Sequence, residues 1–193
     1  MFGFGEKRKA EEQMAEWLAH PAEFGVPPTK VRHRRTYKGE LITQGKVEIH
    51  LVEYTMPDGT TGRGFVNGSL TWSFLGDDVN AIDDDNLLLA YCGWAWLFPA
   101  LQGGGVLTDF VSEGEEARYV AQKQQEGLTA VVITNRYKIG TSELFEFTGT
   151  FDGKRAKGAG ATEDEVGFTE DDPCFNLPSI YFFLGRQAIQ SME

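Results

Sequence analysis

The sequence predicts an α+β protein: a twisted antiparallel sheet of five to seven strands, packed by a buried apolar helix and a C-terminal helix, with an N-terminal helix at one edge. Three observations lead there. Short segments of alternating apolar residues are separated by tight-turn sequences, Pro57-Asp58-Gly59 and Asn67-Gly68 among them, which is the pattern of successive hairpins. Residues 87–101 (LLLAYCGWAWLFPAL) are apolar all round, as a helix buried on every side must be. Helical spacing of apolar side chains marks both ends of the chain.

The elements follow in order. Ala10, Met14, Trp17 and Leu18 fall on one helix face, so residues 1–20 are expected to form an amphipathic helix that Pro21 ends. Residues 30–37 are extended in character. In residues 46–56 the apolar phase runs through Val47, Ile49 and Leu51 and then shifts to Val52, Tyr54 and Met56, which implies a bulge or two buried faces. The turn at Pro57-Asp58-Gly59 leads to a strand over residues 61–66, and Asn67-Gly68 leads to another over 69–75.

Asp83, Asp84 and Asp85 precede the apolar run, where carboxylates favour the exposed N–H groups of a helix start, so that helix is placed at residues 84–98. Gly103-Gly104-Gly105 then breaks the chain before a short apolar run, residues 106–111. A mostly polar helix is expected over 115–126, and a hairpin around Gly140 joins residues 128–139 to 143–151. Residues 153–170, first basic and glycine-rich and then acidic, read as a mobile loop. Leu177, Ile180, Tyr181, Leu184 and Ala188 give the closing helix, residues 176–191, its inward face. No internal repeat is visible, and all 193 residues are expected to form one domain.

Charge and cysteine usage narrow the function classes. Residues 1–50 hold nine Lys/Arg against seven Asp/Glu, whereas residues 51–193 hold nine against twenty-two, giving a formal net charge of −11. Such a field repels nucleic acid and anionic membranes and favours a basic partner. Cys92 and Cys174 lack a pairing motif, and residues 1–13 lack the apolar core of a signal peptide, so a cytoplasmic protein with free thiols is expected. At fifteen residues, the apolar run is shorter than the roughly 20 needed to span a bilayer.

The chemistry-bearing groups are few. Glu48 and His50 share a strand face and are the catalytic candidates, as an acid/base pair. Arg32 and Arg34 on the first strand, with Lys154 and Arg155 in the 153–170 segment, are candidate anion contacts, although that segment lacks the phosphate-loop spacing. Asp77, Asp78, Asp83, Asp84, Glu163, Asp164 and Glu165 are candidate contacts for a basic protein. Trp72, Tyr91, Trp94 and Trp96 are candidates to line an apolar pocket.

No metal-ligand spacing occurs among the three His and two Cys, and the acids at 77–85 lack the order of a calcium loop. Ser73 and Ser179 have no nucleophile-elbow context, and Cys92 sits where burial would raise its pKa. The sequence therefore points to a non-enzymatic, acidic interaction protein of neutralising or accessory type that binds a basic protein, without cofactor. A small apolar-ligand-binding domain and an enzyme using an acid/base pair are the alternatives, and homo-oligomerisation is left open.

Overall fold

The computed structural model describes residues 3–193 apart from 69, 109 and 113, with backbone only at 3, 4, 77 and 78. In chain order the elements are α1 (Gly3–Ala19), β1 (Lys30–Leu41), β2 (Gly45–Thr55), β3 (Thr61–Asn67), β4 (Leu70–Leu75), α2 (Asp77–Asn80) and α3 (Asp84–Gln102). There follow β5 (Val106–Leu107), α4 (Glu115–Gln125), β6 (Thr129–Ile139), β7 (Ser142–Phe151), β8 (Lys154–Ala161), β9 (Asp164–Thr169), a 3-10 turn (Pro173–Asn176), α5 (Ser179–Ala188) and β10 (Ile189–Met192). The fold is α+β, as expected, but the strands form two antiparallel five-stranded sheets in place of one sheet of five to seven. They belong to two compact units. One runs to Asp84 and takes in Ile189–Glu193; the other is Asp85–Ala188.

In the first unit the strand order is β10-β1-β2-β3-β4. The Asn67-Gly68 and Pro57-Asp58-Gly59 turns form as the sequence predicts, with Gly68 and Gly59 at positive φ. Both apolar phases of β2 are buried, which settles the alternatives left by its phase shift. Val52 and Tyr54 face α1, where Ala10, Met14 and Leu18 pack against them at i, i+4 and i+8, while Ile49 and Leu51 are buried on the opposite face. Because that second apolar phase needs cover, α1 lies across the face of the sheet and not at its edge. Gly64 makes the approach feasible, since a Cβ there would run into Met14.

The closing helix also differs from expectation. It ends at Ala188, and residues 189–192 become β10, which pairs with the end of β1 through Gly39 and Met192. Lys38 and Glu193 exchange both main-chain hydrogen bonds, at 3.1 and 2.9 Å. A side chain at position 39 would strike the Ser191 carbonyl, so glycine is what admits the strand.

The second unit has the order β5-β6-β7-β8-β9. Tyr119 of α4 packs on Phe145 and Phe147 on one face; Leu97 of α3 and Ile180, Phe183 and Leu184 of α5 cluster with Leu144 and Ala159 on the other. Residues expected to be a mobile loop are the β8–β9 hairpin. Their glycines and alanines were read as unable to bury much, yet small residues are what the packing requires: Gly158 lies under the Phe147 ring, and Ala159 is fully buried. The α3 helix runs one turn past its expected end, through Pro99, whose carbonyl accepts from Gly103 N at 2.9 Å.

The two units repeat one plan that no sequence repeat announces. Each has a helix, then a four-strand meander, and a short fifth strand added beside the meander's first strand. In each, the preceding helix packs on the face where an aromatic ring covers a glycine, Tyr54 over Gly62 in one and Phe147 over Gly158 in the other. Among the described residues no helix is long and apolar enough to cross a membrane.

Within the second unit α3 and α5 meet at backbone distance, because a Cβ on Gly93 would collide with the Tyr181 carbonyl and one on Gly185 with that of Leu89. Helix propensity alone favours Gly93→Ala by about 0.8–1 kcal/mol. The close approach reverses the sign: Gly93→Ala is expected to destabilise by about 1–3 kcal/mol in urea unfolding, and a stabilised variant would contradict this packing.

Candidate anion-binding cleft

The first strand carries the site. Between His33 and Arg35 the pairing of β1 with β2 shifts register, leaving Arg34 as an extra residue. A bulge of this kind turns two consecutive side chains to one side. Arg35, beyond the bulge, lies over the Tyr37 ring, 4.4 Å from its centroid. Arg34 reaches Glu53 and, through Nε, Asp84 Oδ2 at 2.8 Å.

Arg63 of β3 sits beside this group and is only 6% exposed. Its guanidinium donates to Asp84 Oδ1 at 2.6 Å, to the Ile82 carbonyl at 2.6 Å and to the Val79 carbonyl. A buried charge needs such partners. Asp84 thus bridges Arg34 and Arg63, and the Glu53 hydrogen bond, ahead of that from Asp84, raises the Arg34 pKa further.

Lys30 and Arg32 differ. They are exposed, and among the described residues neither makes an ion pair or side-chain hydrogen bond. Together with Arg34, Glu53, Arg63 and Asn80 they line a cleft of about 370 Å³. Among the described residues four cations and one carboxylate, Glu53, line the cleft, and Glu53 is engaged by Arg34 as Asp84 is by Arg34 and Arg63, so this lining is positive on a chain whose net charge is −11.

On the α1 side of the sheet the catalytic candidates Glu48 and His50 of β2 do come together, with His50 Nε2 3.7 Å from Glu48 Oε1. Thr36 Oγ1 lies 3.0 Å from His50 Nδ1 and 2.8 Å from His33 Nε2, so one hydroxyl links two imidazoles whose ring centroids are 5.6 Å apart. Burial, then the neighbouring His50 and Lys7, lowers the His33 pKa, with Glu11 opposing; burial lowers that of His50 against Glu48 and Glu6. His33 and Thr36 escaped notice in the sequence because β1 reads as a run of charge. The pairing of Thr36 with His50 across β1 and β2 is what brings them to Glu48.

The remaining candidates are placed as follows. Lys154 pairs with Asp171, and Arg155 Nε with Glu170 at 2.7 Å; both belong to the second unit, whereas Arg32 and Arg34 belong to the first. Asp83 and Glu163 are exposed, but Asp164 accepts from Arg186 at 3.0 Å and Glu165 meets the fully buried Lys123 at 2.5 Å. The side chains of Asp77 and Asp78 lie outside the described residues. Trp72 stacks near Phe74 in the first unit; in the second, Tyr91 is buried, Trp94 stacks on Phe98 and Trp96 packs beside the Leu97 cluster. Burial pushes the Cys92 thiol up to about 12. Among the described residues, no three His, Cys, Asp or Glu side chains gather as a metal site.

Comparison with known proteins finds no family model, no curated protein and no solved structure that matches this chain.

Two outcomes are expected. Asp84→Ala leaves the Arg63 charge buried without its carboxylate and should cost about 3 kcal/mol or more in urea unfolding; a loss below about 1 kcal/mol, the scale of a surface pair, would contradict the assigned role. Both histidines bind protons less readily folded than unfolded, so their contribution is complete above pH 6.5 and is lost as the pH falls from there through the folded-state values. The urea midpoint should therefore drop between pH 7.5 and 5.5, and less so in the His33→Gln/His50→Gln double variant. An equal drop in both proteins would assign the effect elsewhere.

Proposed function

We propose that the chain is a non-enzymatic binding protein whose first unit takes a small anionic ligand, a phosphate ester or a carboxylate, in the Lys30/Arg32 cleft. The observation that carries this reading is the pair of exposed cations without a carboxylate partner among the described residues, set beside two arginines that are already neutralised. An incoming oxyanion meets uncompensated charge at Lys30 and Arg32, and a guanidinium presents donors in the fork geometry that oxyanions accept. Arg34 and Arg63, held by Asp84, form the fixed wall. The cleft is too local, and the chain too acidic, to favour a nucleic acid backbone.

A second reading rests on the charge of residues 51–193, nine cations against twenty-two acids, which favours a basic protein partner. Glu163, exposed and without an ion pair among the described residues, suits that role. Asp84, Asp164 and Glu165 suit it less, since each already holds an internal cation.

Titration calorimetry with inorganic phosphate tests the first reading. Lys30→Ala and Arg32→Ala are each expected to weaken binding roughly tenfold, about 1.4 kcal/mol, and added salt should weaken it further. Binding that both variants leave unchanged would remove the cleft from consideration.

A further inference from the structure

A second cleft, of about 680 Å³, lies on the α1 side of β1, lined by Lys7, Arg8 and Glu11 of α1 and by Arg32 and His33 of β1. Arg32 is among the residues that line both clefts. Glu11 Oε1 accepts the His33 main-chain N–H at 2.6 Å, which fixes its carboxylate against β1 while its charge stays in the lining. Arg8 shares its charge with Glu12 across one helix turn, whereas Lys7 has no ion pair among the described residues.

His33 is the one lining residue whose charge changes near neutral pH, and it does not titrate alone. Its Nε2 and the His50 Nδ1 share the Thr36 hydroxyl. That hydroxyl has one proton: it donates to one neutral imidazole and accepts the N–H of the other. A proton added to the acceptor ring makes that ring a donor, so the hydroxyl then accepts from both rings and turns its own proton elsewhere. The charged groups around the pair are Glu6, Lys7 and Glu11 from α1, Arg32 and Lys38 from β1 and Glu48 from β2.

We infer that this second cleft is a proton-linked site for a divalent oxyanion, occupied when the His33–Thr36–His50 chain takes up a proton and His33 joins Lys7, Arg8 and Arg32 in facing the ligand. The inference rests on the anion-binding reading of the neighbouring cleft, because the two share Arg32. By linkage, an anion that favours the protonated pair binds more tightly as the pH falls below the ordinary histidine value of 6.5, and it promotes proton uptake in return. A ligand carrying two anionic groups would engage both clefts across Arg32, and acid would tighten its second contact only.

Inorganic sulfate is the probe, because it stays doubly charged from pH 5.5 to 7.5 while phosphate does not. Amide spectra of the full chain, titrated with sulfate at both pH values, read the sites separately: residues 7–11 and 33 report the second cleft, residues 53–55 and 61–63 the first. The second site is expected to tighten about fivefold at pH 5.5 while the first changes little. Lys7→Ala should weaken the second site alone, and the His33→Gln/His50→Gln variant should abolish its pH dependence while leaving the first site intact. Sulfate confined to the first cleft at both pH values, or a second site whose affinity ignores pH, overturns this inference and leaves the first reading standing. A pH dependence that survives the double histidine variant overturns it too. Sulfate at neither cleft overturns both.

Discussion

The buried guanidinium of Arg63 is the constraint on which the arrangement of the first unit turns. A charge that is 6% exposed must be met by carboxylate and carbonyl oxygens, and β3 itself carries no carboxylate. The segment after β4 supplies them: the Val79 and Ile82 carbonyls and the Asp84 carboxylate converge on one side chain. That convergence fixes residues 79–84 against the sheet, and the second oxygen of Asp84 then fixes Arg34. With Arg34 and Glu53 engaged, the cleft charge that has no partner among the described residues falls on Lys30 and Arg32. The candidate cleft is what remains after the buried charge has been satisfied.

Much of the fold was legible because it rests on local rules. The turns at Asn67-Gly68 and Pro57-Asp58-Gly59, the apolar stripe of α1 and the start of α3 at Asp84 follow from positive φ, helical spacing and the favour of carboxylates at helix starts. What was not legible depends on distant partners. Gly158 falls in a segment expected to be mobile, and it is instead a place where a ring approaches too closely for a Cβ; at Gly39 and Gly64 the approaching segment, β10 or α1, is distant in sequence. β10, expected as part of the closing helix, likewise depends on its pairing with β1. The doubled helix-and-meander plan is invisible in sequence because the same positions are filled by different chemistry, Met14 and Leu18 on one helix and Tyr119 and Lys123 on the other.

The site was half legible for a related reason. Arg32, Arg34, Glu48 and His50 stand out by residue type, but strand alternation assigned faces that the bulge at Arg34 rearranges. His33 and Thr36 gain meaning only from pairing with β2. The acids show the converse error: composition presents Asp84, Asp164 and Glu165 as surface charge, and each is bound to a cation of its own unit. Net charge describes the field around the chain, whereas unpaired charge marks the places where a ligand gains most.

The account's central claim is that Arg34 and Arg63 are internal structure while Arg32 is free for a ligand. The arginine side-chain Nε–H resonances, followed by NMR during a phosphate titration, test it most directly. The account predicts a saturable shift at Arg32 with the Arg34 and Arg63 signals nearly stationary and protected from solvent exchange. Rapid exchange at Arg63, or shifts at Arg34 and Arg63 with none at Arg32, would contradict it.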